Sequence, residues 1–462
     1  MKDRHDVSEA QQLDPASRRL LERVEIEGIE LVRFLYVDHG GVVRGKAAAR
    51  GRLAERLGTG IGHTVAMMAM NMLDRLPAVP GMGPVGEVRL VPDPATFVPL
   101  PYAPGAAAML ADLRDLDGSP WAACPRSFLR DAVAALDAEG YALLVAFEPE
   151  FTLGRRLPGD PLDRLAPVDD SACYAATGFD TAHDYAMRLL RALESQGLRV
   201  EHYHPELGHG QQELSIRPAA PLRAADNHVL YRETVRGVAL RMAMWASLAP
   251  KPVAGQPGNG AHLHLSLWDA EGGRNLLAGG DGELSDLGRH FVGGLIAHLP
   301  ALVALTCGTV NSFRRLSPRS WSSAYACYGP DNREAAVRIC SPLSPGSVNL
   351  ELKPSDSSAN PYLSLGAVIH AGLDGLRRRL DPGEPVDVDP DDLSETARAR
   401  LGVHRLPATL DEALDALESD EFLMEALGPL RRTAYLAVKR SEAAAFAAQD
   451  EAFELFHHFR VF

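Results

Sequence analysis

The sequence has little cysteine, no long uninterrupted apolar run and no excess of basic residues, and each shortage excludes something. Its five cysteines, at 124, 173, 307, 327 and 340, are odd in number and widely spaced, with no C-x-x-C pair. A disulfide scaffold or a cysteine-bound zinc is therefore not expected, and with no leader-like segment ahead of them they fit a reducing cytoplasm. The longest apolar stretch, Phe291 to Cys307, is broken by His298 and Pro300. It falls short of the about 20 residues a bilayer needs, so a buried helix is expected and no membrane partner. A net charge of −14 without a basic stripe argues against nucleic acid as a partner. Neither an internal repeat nor a low-complexity segment is present, and 46% hydrophobic with 23% charged residues is an ordinary globular composition.

Residues 1–16 are polar and aperiodic and read as a mobile arm, with a helix starting near Pro15. The run LVRFLYVDHGGVVRGK from Leu31 reads as two strands joined at His39-Gly40-Gly41, and Val88–Val91 as another. A turn cluster at Asp115–Pro120 separates this strand-rich unit, 17–114, from 120–462, where helices and strands alternate. Thr409 to Phe462 has helical spacing and is expected to cover a sheet.

Four short segments share one pattern. Around Leu143–Thr152 the apolar residues sit at odd positions, so Glu148 and Glu150 project from the opposite face. Glu213 alternates against Leu214 and Ile216, His262 and His264 against Leu263 and Leu265, and Glu351 and Lys353 against Leu350 and Leu352. Any one such face is by default merely solvated. Four in one sheet converge, and converging carboxylates raise one another's pKa unless cations separate them. Oxygen donors with an occasional imidazole suit Mg²⁺ or Mn²⁺, ions that bind substrate phosphates.

These residues resemble the glutamine synthetase family. FEPEF at 147–151, EHYHPELGHGQQE at 201–213, KPVAGQPGNGAHLHLSLW at 251–268, NSFRRLSP at 311–318, DNREAAVR and ELKPSDSSANPYL stand in that family's order. The resemblance implies an α+β fold, with an N-terminal β-grasp domain and a catalytic barrel of antiparallel strands covered by helices. It also implies a ring-shaped homo-oligomer, a double ring of hexamers, that uses ATP and two or more divalent ions on L-glutamate. By position, Glu150, Glu206 and Glu213 would hold one ion, and Glu148, His262 and Glu351 the other. Glu201, His264 and Ser266 would meet ATP, with Trp268 either near the base or simply in the core. Arg333 and Arg338 would meet the transferring phosphate, or else form structural ion pairs, and Arg315 and Gly258 would hold glutamate.

The resemblance weakens where nitrogen enters. Ammonium-using members carry an aspartate where this chain reads GTGIGHTVAMMAM (Gly58–Met70), and a glutamate where it has Trp321. Glu206 alone remains of that acidic pocket, so an amine with apolar substance is expected, with Glu206 taking its proton; His63 and His209 are weaker candidates that read first as ordinary surface or loop residues. Pro257 and Lys353 replace the family's usual asparagine and arginine beside the glutamate site. An ammonium-using enzyme is the alternative, and a non-catalytic relative a more remote one.

Overall fold

The computed structural model describes residues 14–156, 165–279, 283–342 and 344–462. Helix α1 (Pro15–Ile26) starts where Asp14 caps it, its carboxylate accepting from the N–H groups of Ala16 and Ser17. Pro15 and Ala16 thus belong to the folded unit and not to the arm; the rest of the proposed arm, 1–13, lies outside the described residues. The N-terminal domain follows, with β1 (Leu31–Val37), β2 (Val43–Ala49), α2 (Arg50–Thr59), β3 (Ile61–Thr64), β4 (Glu87–Pro92), β5 (Val98–Pro99) and β6 (Ala106–Arg114). Its sheet has the order β2-β1-β6-β4-β3 with β5 on β6, and β1 runs parallel to β6. This is the mixed sheet of a β-grasp unit, with α1 and α2 closing a core that includes Val24, Phe34, Leu53 and Leu90.

The catalytic domain comprises α3 (Pro125–Ala138), β7 (Tyr141–Arg156), β8 (Leu165–Pro167), α4 (Ala176–Ser195), β9 (Val200–Pro205), β10 (Gln211–Ile216) and α5 (Pro221–Arg241). It continues with β11 (Met244–Ser247), β12 (Ala261–Asp269), α6 (Asp286–Thr306), α7 (Val310–Arg315), β13 (Tyr325–Pro330), β14 (Ala335–Cys340) and β15 (Asn349–Leu352). Then come α8 (Pro361–Arg378), α9 (Glu395–Leu401), β16 (His404–Arg405), α10 (Leu410–Ser419), α11 (Glu421–Leu427), α12 (Pro429–Ala447) and α13 (Glu451–Val461). A ten-stranded sheet of order β16-β13-β14-β15-β12-β7-β10-β9, with β8 and β11 also on β7, curls into a nearly closed barrel. One correction applies to the all-antiparallel expectation: β13 and β14 pair in parallel.

The expectation that the Phe291–Cys307 stretch is too short to cross a membrane is also corrected. Helix α6 spans 21 residues and is apolar enough by length and composition. Most of its apolar residues are nevertheless buried inside this domain, against α8, where a Cβ on Gly294 would lie 2.0 Å from Ala371 O. Glycine is what lets the two helices approach so closely.

The two domains are joined by the turn after β1. Asn360 donates to Val37 O and Asp38 O at 3.2 and 3.0 Å, Lys439 to Gly40 O at 3.0 Å and Arg232 to Gly41 O at 2.9 Å. The turn's carbonyls, which face the interior, are thereby satisfied.

Helix packing around α6 includes a charged centre. His298 lies between Asp420, 2.6 Å from Nδ1, and Asp374, 3.0 Å from Nε2. Burial alone would lower its pKa, but the bonds to Asp420 and Asp374 outweigh burial and raise it. A raised folded-state value means that this stabilisation is complete below the unfolded-state pKa of about 6.5 and is lost as pH climbs through the folded value. His298→Ala is expected to cost about 3 kcal/mol, by leaving Asp374 and Asp420 short of a partner. Urea unfolding at pH 6 and pH 9 checks this: the deficit is larger at pH 6.

Candidate active site

Five consecutive strands, β10-β7-β12-β15-β14, put the polar faces read from the sequence onto one wall. Pairing register does the rest. Glu213 stands opposite Glu150, His262 opposite Glu148, and Glu351 opposite both His264 and Arg338. The apolar alternates Val145, Phe147, Leu214, Leu263, Leu265, Leu350 and Leu352 are buried on the other side. Hydrophobic burial of one face thus obliges the other to carry its carboxylates and imidazoles together.

A cavity of ≈ 370 Å³ on this wall is lined by all six proposed metal ligands, Glu148, Glu150, Glu206, Glu213, His262 and Glu351. Gly258, Arg315, Trp321, Arg333 and Lys353 line the same cavity. A second cavity of ≈ 740 Å³, sharing Glu148 and His202 with the first, is lined by Glu201, His264, Ser266 and Trp268 beside Leu144, Phe147 and Val348. The residues read as metal and glutamate contacts therefore adjoin those read as nucleotide contacts, four of which sit in a more apolar recess. In that recess the Trp268 indole N–H donates to Ser266 Oγ at 2.8 Å, and Glu201 pairs with Arg217.

The six ligands fall into two electrostatic halves. In the first, burial and repulsion from Glu150 and Glu213 push the Glu206 carboxyl up to about 7, and burial raises that of Glu150. Gln211 Nε2 and Gly260 N–H donate to Glu150 at 2.6 and 3.0 Å, and His204 lies 3.3 Å from both Glu206 and Glu213. Among the described residues no lysine or arginine pairs with Glu150, Glu206 or Glu213. Three carboxylates, Glu213 buried and Glu150 and Glu206 half-buried, with no lysine or arginine partner fit a hard divalent ion.

The second half corrects the argument that only metal ions could let these glutamates coexist. Glu351 lies 3.1 Å from His262 Nδ1, 3.1 Å from Lys353 Nζ and 3.0 Å from Arg338 Nη1. Burial works to raise its pKa, but His262 and Lys353 outweigh burial and hold it well below the carboxylate range. Glu148 behaves alike through His262 and His264. The chain's own cations balance this half, and an ion entering it would exchange with those contacts. Arg338 itself lines neither cavity; its place is the ion pair with Glu351 and Asp331.

Arg315 is buried, with Nη2 2.9 Å from His262 Nε2 and within 3.4 Å of Lys353 O. Its approach depends on two glycines. A Cβ on Gly260 would stand 2.6 Å from Arg315 Nη2 and 2.8 Å from His262 Nε2, and one on Gly258 would stand 2.4 Å from Pro250 O. Gly260→Ala is therefore expected to displace both groups and lower kcat/KM for glutamate by about 100-fold with the fold retained. Steady-state kinetics beside a circular dichroism spectrum checks this.

Some site residues escaped the sequence reading. His202 and His204 lie two apart on β9, and ligand atoms of these two and Glu213 fall within 4.8 Å of one another. His264 makes a like group with Glu148 and Glu351. The alternation used on the other strands would have found the pair in EHYHPE. Tyr174, whose hydroxyl is 3.4 Å from Glu206, and Leu207 gave no periodic signal, because both lie in loops. The two weaker proton-acceptor candidates do not line this cavity: His63 is buried edge-on to Tyr36 in the N-terminal domain, where burial lowers its pKa to about 4, and His209 lies outside the lining.

Comparison with known proteins assigns the class. Residues 15–121 match the glutamine synthetase N-terminal domain and 122–457 the glutamine synthetase catalytic domain, so the chain belongs to the glutamine synthetase family. It is 38% identical over 432 residues to a gamma-glutamylpolyamine synthetase, GlnA3, of Streptomyces coelicolor, with 92% of each chain covered. It is 35% identical to a glutamine synthetase of Pyrococcus furiosus, covering 87% of each, and 36% identical to a glutamate–methylamine ligase of Methyloversatilis universalis, covering 76% of this chain and 81% of that one. Among solved structures, a novel glutamine synthase homolog superposes with a TM-score of 0.83 at 37% identity, covering 94% of this chain and 99% of that one. A GmaS/ADP complex superposes with a TM-score of 0.82 at 31% identity, covering 94% and 98%. The protein is an ATP-dependent glutamate–amine ligase.

Proposed function

We propose that this ligase joins the side-chain carboxylate of L-glutamate to an amine larger than ammonium, by way of a γ-glutamyl phosphate. The observation that carries the reading is at the cavity mouth. Trp321, Tyr174 and Leu207 are 54%, 56% and 51% exposed, and all three line the cavity that holds Glu206. Exposed large apolar side chains gathered at the rim of an acid-lined cavity suit an alkylammonium, whose charge meets carboxylate and ring faces while its carbon chain meets the indole. A bare ammonium ion shares the charge contacts but has no carbon chain to meet the indole.

Arg315 and Lys353 would receive the backbone carboxylate of glutamate, and Arg333, which lines the same cavity, would meet the transferring phosphate. Divalent ions held by Glu150, Glu206 and Glu213 in one half, and by Glu148, His262 and Glu351 in the other, would neutralise phosphate charge. The acyl phosphate is then open to attack by the neutral amine. Glu206, which lines the same cavity as Trp321, would take the proton the ammonium form must lose. The barrel cavities orient both reactants, which is where most of the rate would arise. A cytoplasmic homo-oligomer built as a double ring of hexamers belongs to the same proposal.

The test is phosphate release from ATP with L-glutamate and Mg²⁺ or Mn²⁺, across ammonium, alkylamines, ethanolamine, polyamines and aniline. At least one organic amine is expected to exceed ammonium in kcat/KM by about tenfold or more. Turnover with ammonium alone would return the protein to ordinary glutamine synthesis, and no turnover with any amine would point to a non-catalytic relative.

A further inference from the structure

Trp321 stands on a segment, between α7 and β13, whose backbone is strained. Arg319, Trp321 and Ser323 all adopt left-handed conformations, with φ of 58°, 54° and 67°. Residues bearing a Cβ take that region reluctantly, and three in five positions persist only if other contacts impose them. Arg319 reaches Asp391 and Asp392 at 3.3 and 2.6 Å, but Arg319 and Asp392 are exposed and Asp391 half-exposed, so solvent screens these pairs. Ser322 Oγ donates to Arg315 O at 2.7 Å and Ser323 Oγ to Ala335 O at 2.8 Å, which fixes the segment's C-terminal end. At its centre the Trp321 backbone N–H donates to Glu334 Oε1 at 2.7 Å, a charge-assisted bond.

Glu334 is held in turn. Its own N–H donates to Asn332 Oδ1 at 3.0 Å, and Asn332 Nδ2 donates to Val386 O and Val388 O, each at 2.9 Å. The turn between β13 and β14 is thus fixed to the segment at 386–388, and the same turn carries Arg333, which lines the cavity. We infer that Glu334 is a positioning residue for the amine site: its carboxylate holds the Trp321 indole at the cavity mouth and ties that wall to the turn bearing Arg333. This rests on the reading of Trp321 as a wall of the amine pocket. One consequence is that movement of the turn on the phosphate side is transmitted to the wall the amine meets.

Glu334→Ala and Glu334→Gln separate the hydrogen bond from general structure. Alanine is expected to raise KM for the preferred organic amine about tenfold, with KM for glutamate and for ATP within about twofold of wild type. Glutamine keeps an acceptor oxygen and is expected to stay within about threefold on all three. Trypsin cleavage after Arg319, read by mass spectrometry on the intact protein, is expected to accelerate about tenfold in the alanine variant and little in the glutamine variant. Wild-type amine KM and cleavage rate in Glu334→Ala would overturn the inference, as would a parallel rise of all three KM values or a glutamine variant no better than alanine. If the wild type used only ammonium, the amine reading would fail, and the cleavage rates would still judge the latch by themselves.

Discussion

A Glu351→Ala enzyme is expected to lose at least about 1000-fold in ATP-driven turnover, whichever amine is supplied. Glu351 is 1% exposed, and three groups converge on it: His262, Lys353 and Arg338. Removing its carboxylate leaves Lys353 with a buried charge unmatched, leaves Arg338 with Asp331 alone and takes one oxygen donor from the proposed ion site. Lys353 would swing from the place where glutamate is to be received, and His262, also bonded to Arg315, would lose its orientation. Phosphate release with ammonium and with the preferred amine measures the effect. Glu351→Gln, which keeps the shape, distinguishes lost chemistry from lost folding, because it should remain folded and still turn over poorly. Equal activity of either variant with any amine would contradict the site.

Trp321→Glu is expected to act in the opposite sense on one substrate only. It removes the indole from the rim and sets a carboxylate facing a cavity that already holds Glu206. The expected result is a shift in the ratio of kcat/KM for ammonium over the organic amine by about 100-fold, through a gain for the small cation and a loss of apolar contact for the large one. The backbone N–H to Glu334 is retained, so the segment keeps its anchor. Unchanged preference would show that the rim does not select the amine.

Much of this site was legible before any fold was known, for a physical reason. On a half-buried strand the period of two fixes which residues share a face, so Glu148 with Glu150, His262 with His264, and Glu351 with Lys353 could be grouped from spacing alone. What spacing does not contain is register between strands. That Glu213 falls opposite Glu150 and Glu351 opposite His264 is a property of the pairing, set by burial of the alternate residues across the whole barrel. The rim was least legible. Tyr174 was missed and Trp321 was found only through the family resemblance, because both reach it from loop backbone with positive φ, a conformation no periodicity announces. The balance of charge was misjudged for a related reason: Arg338 reaches Glu351 only because β14 lies beside β15, and with Lys353 it supplies the cations that had been assigned wholly to metal. His63 shows the converse case, a weak candidate outweighed by its ordinary reading. Its segment invited a functional reading, and the fold buries it against Tyr36.

The most direct measurement is a Mn²⁺ titration of the intact protein, followed by electron paramagnetic resonance in the presence of a non-hydrolysable ATP analogue. Wild type is expected to take up about two ions per subunit tightly, and Glu213→Gln and Glu351→Gln about one fewer each. Absence of tight binding in the wild type with nucleotide supplied, or unchanged binding in both variants, would contradict the claim that these carboxylates are held together to grip metal and phosphate.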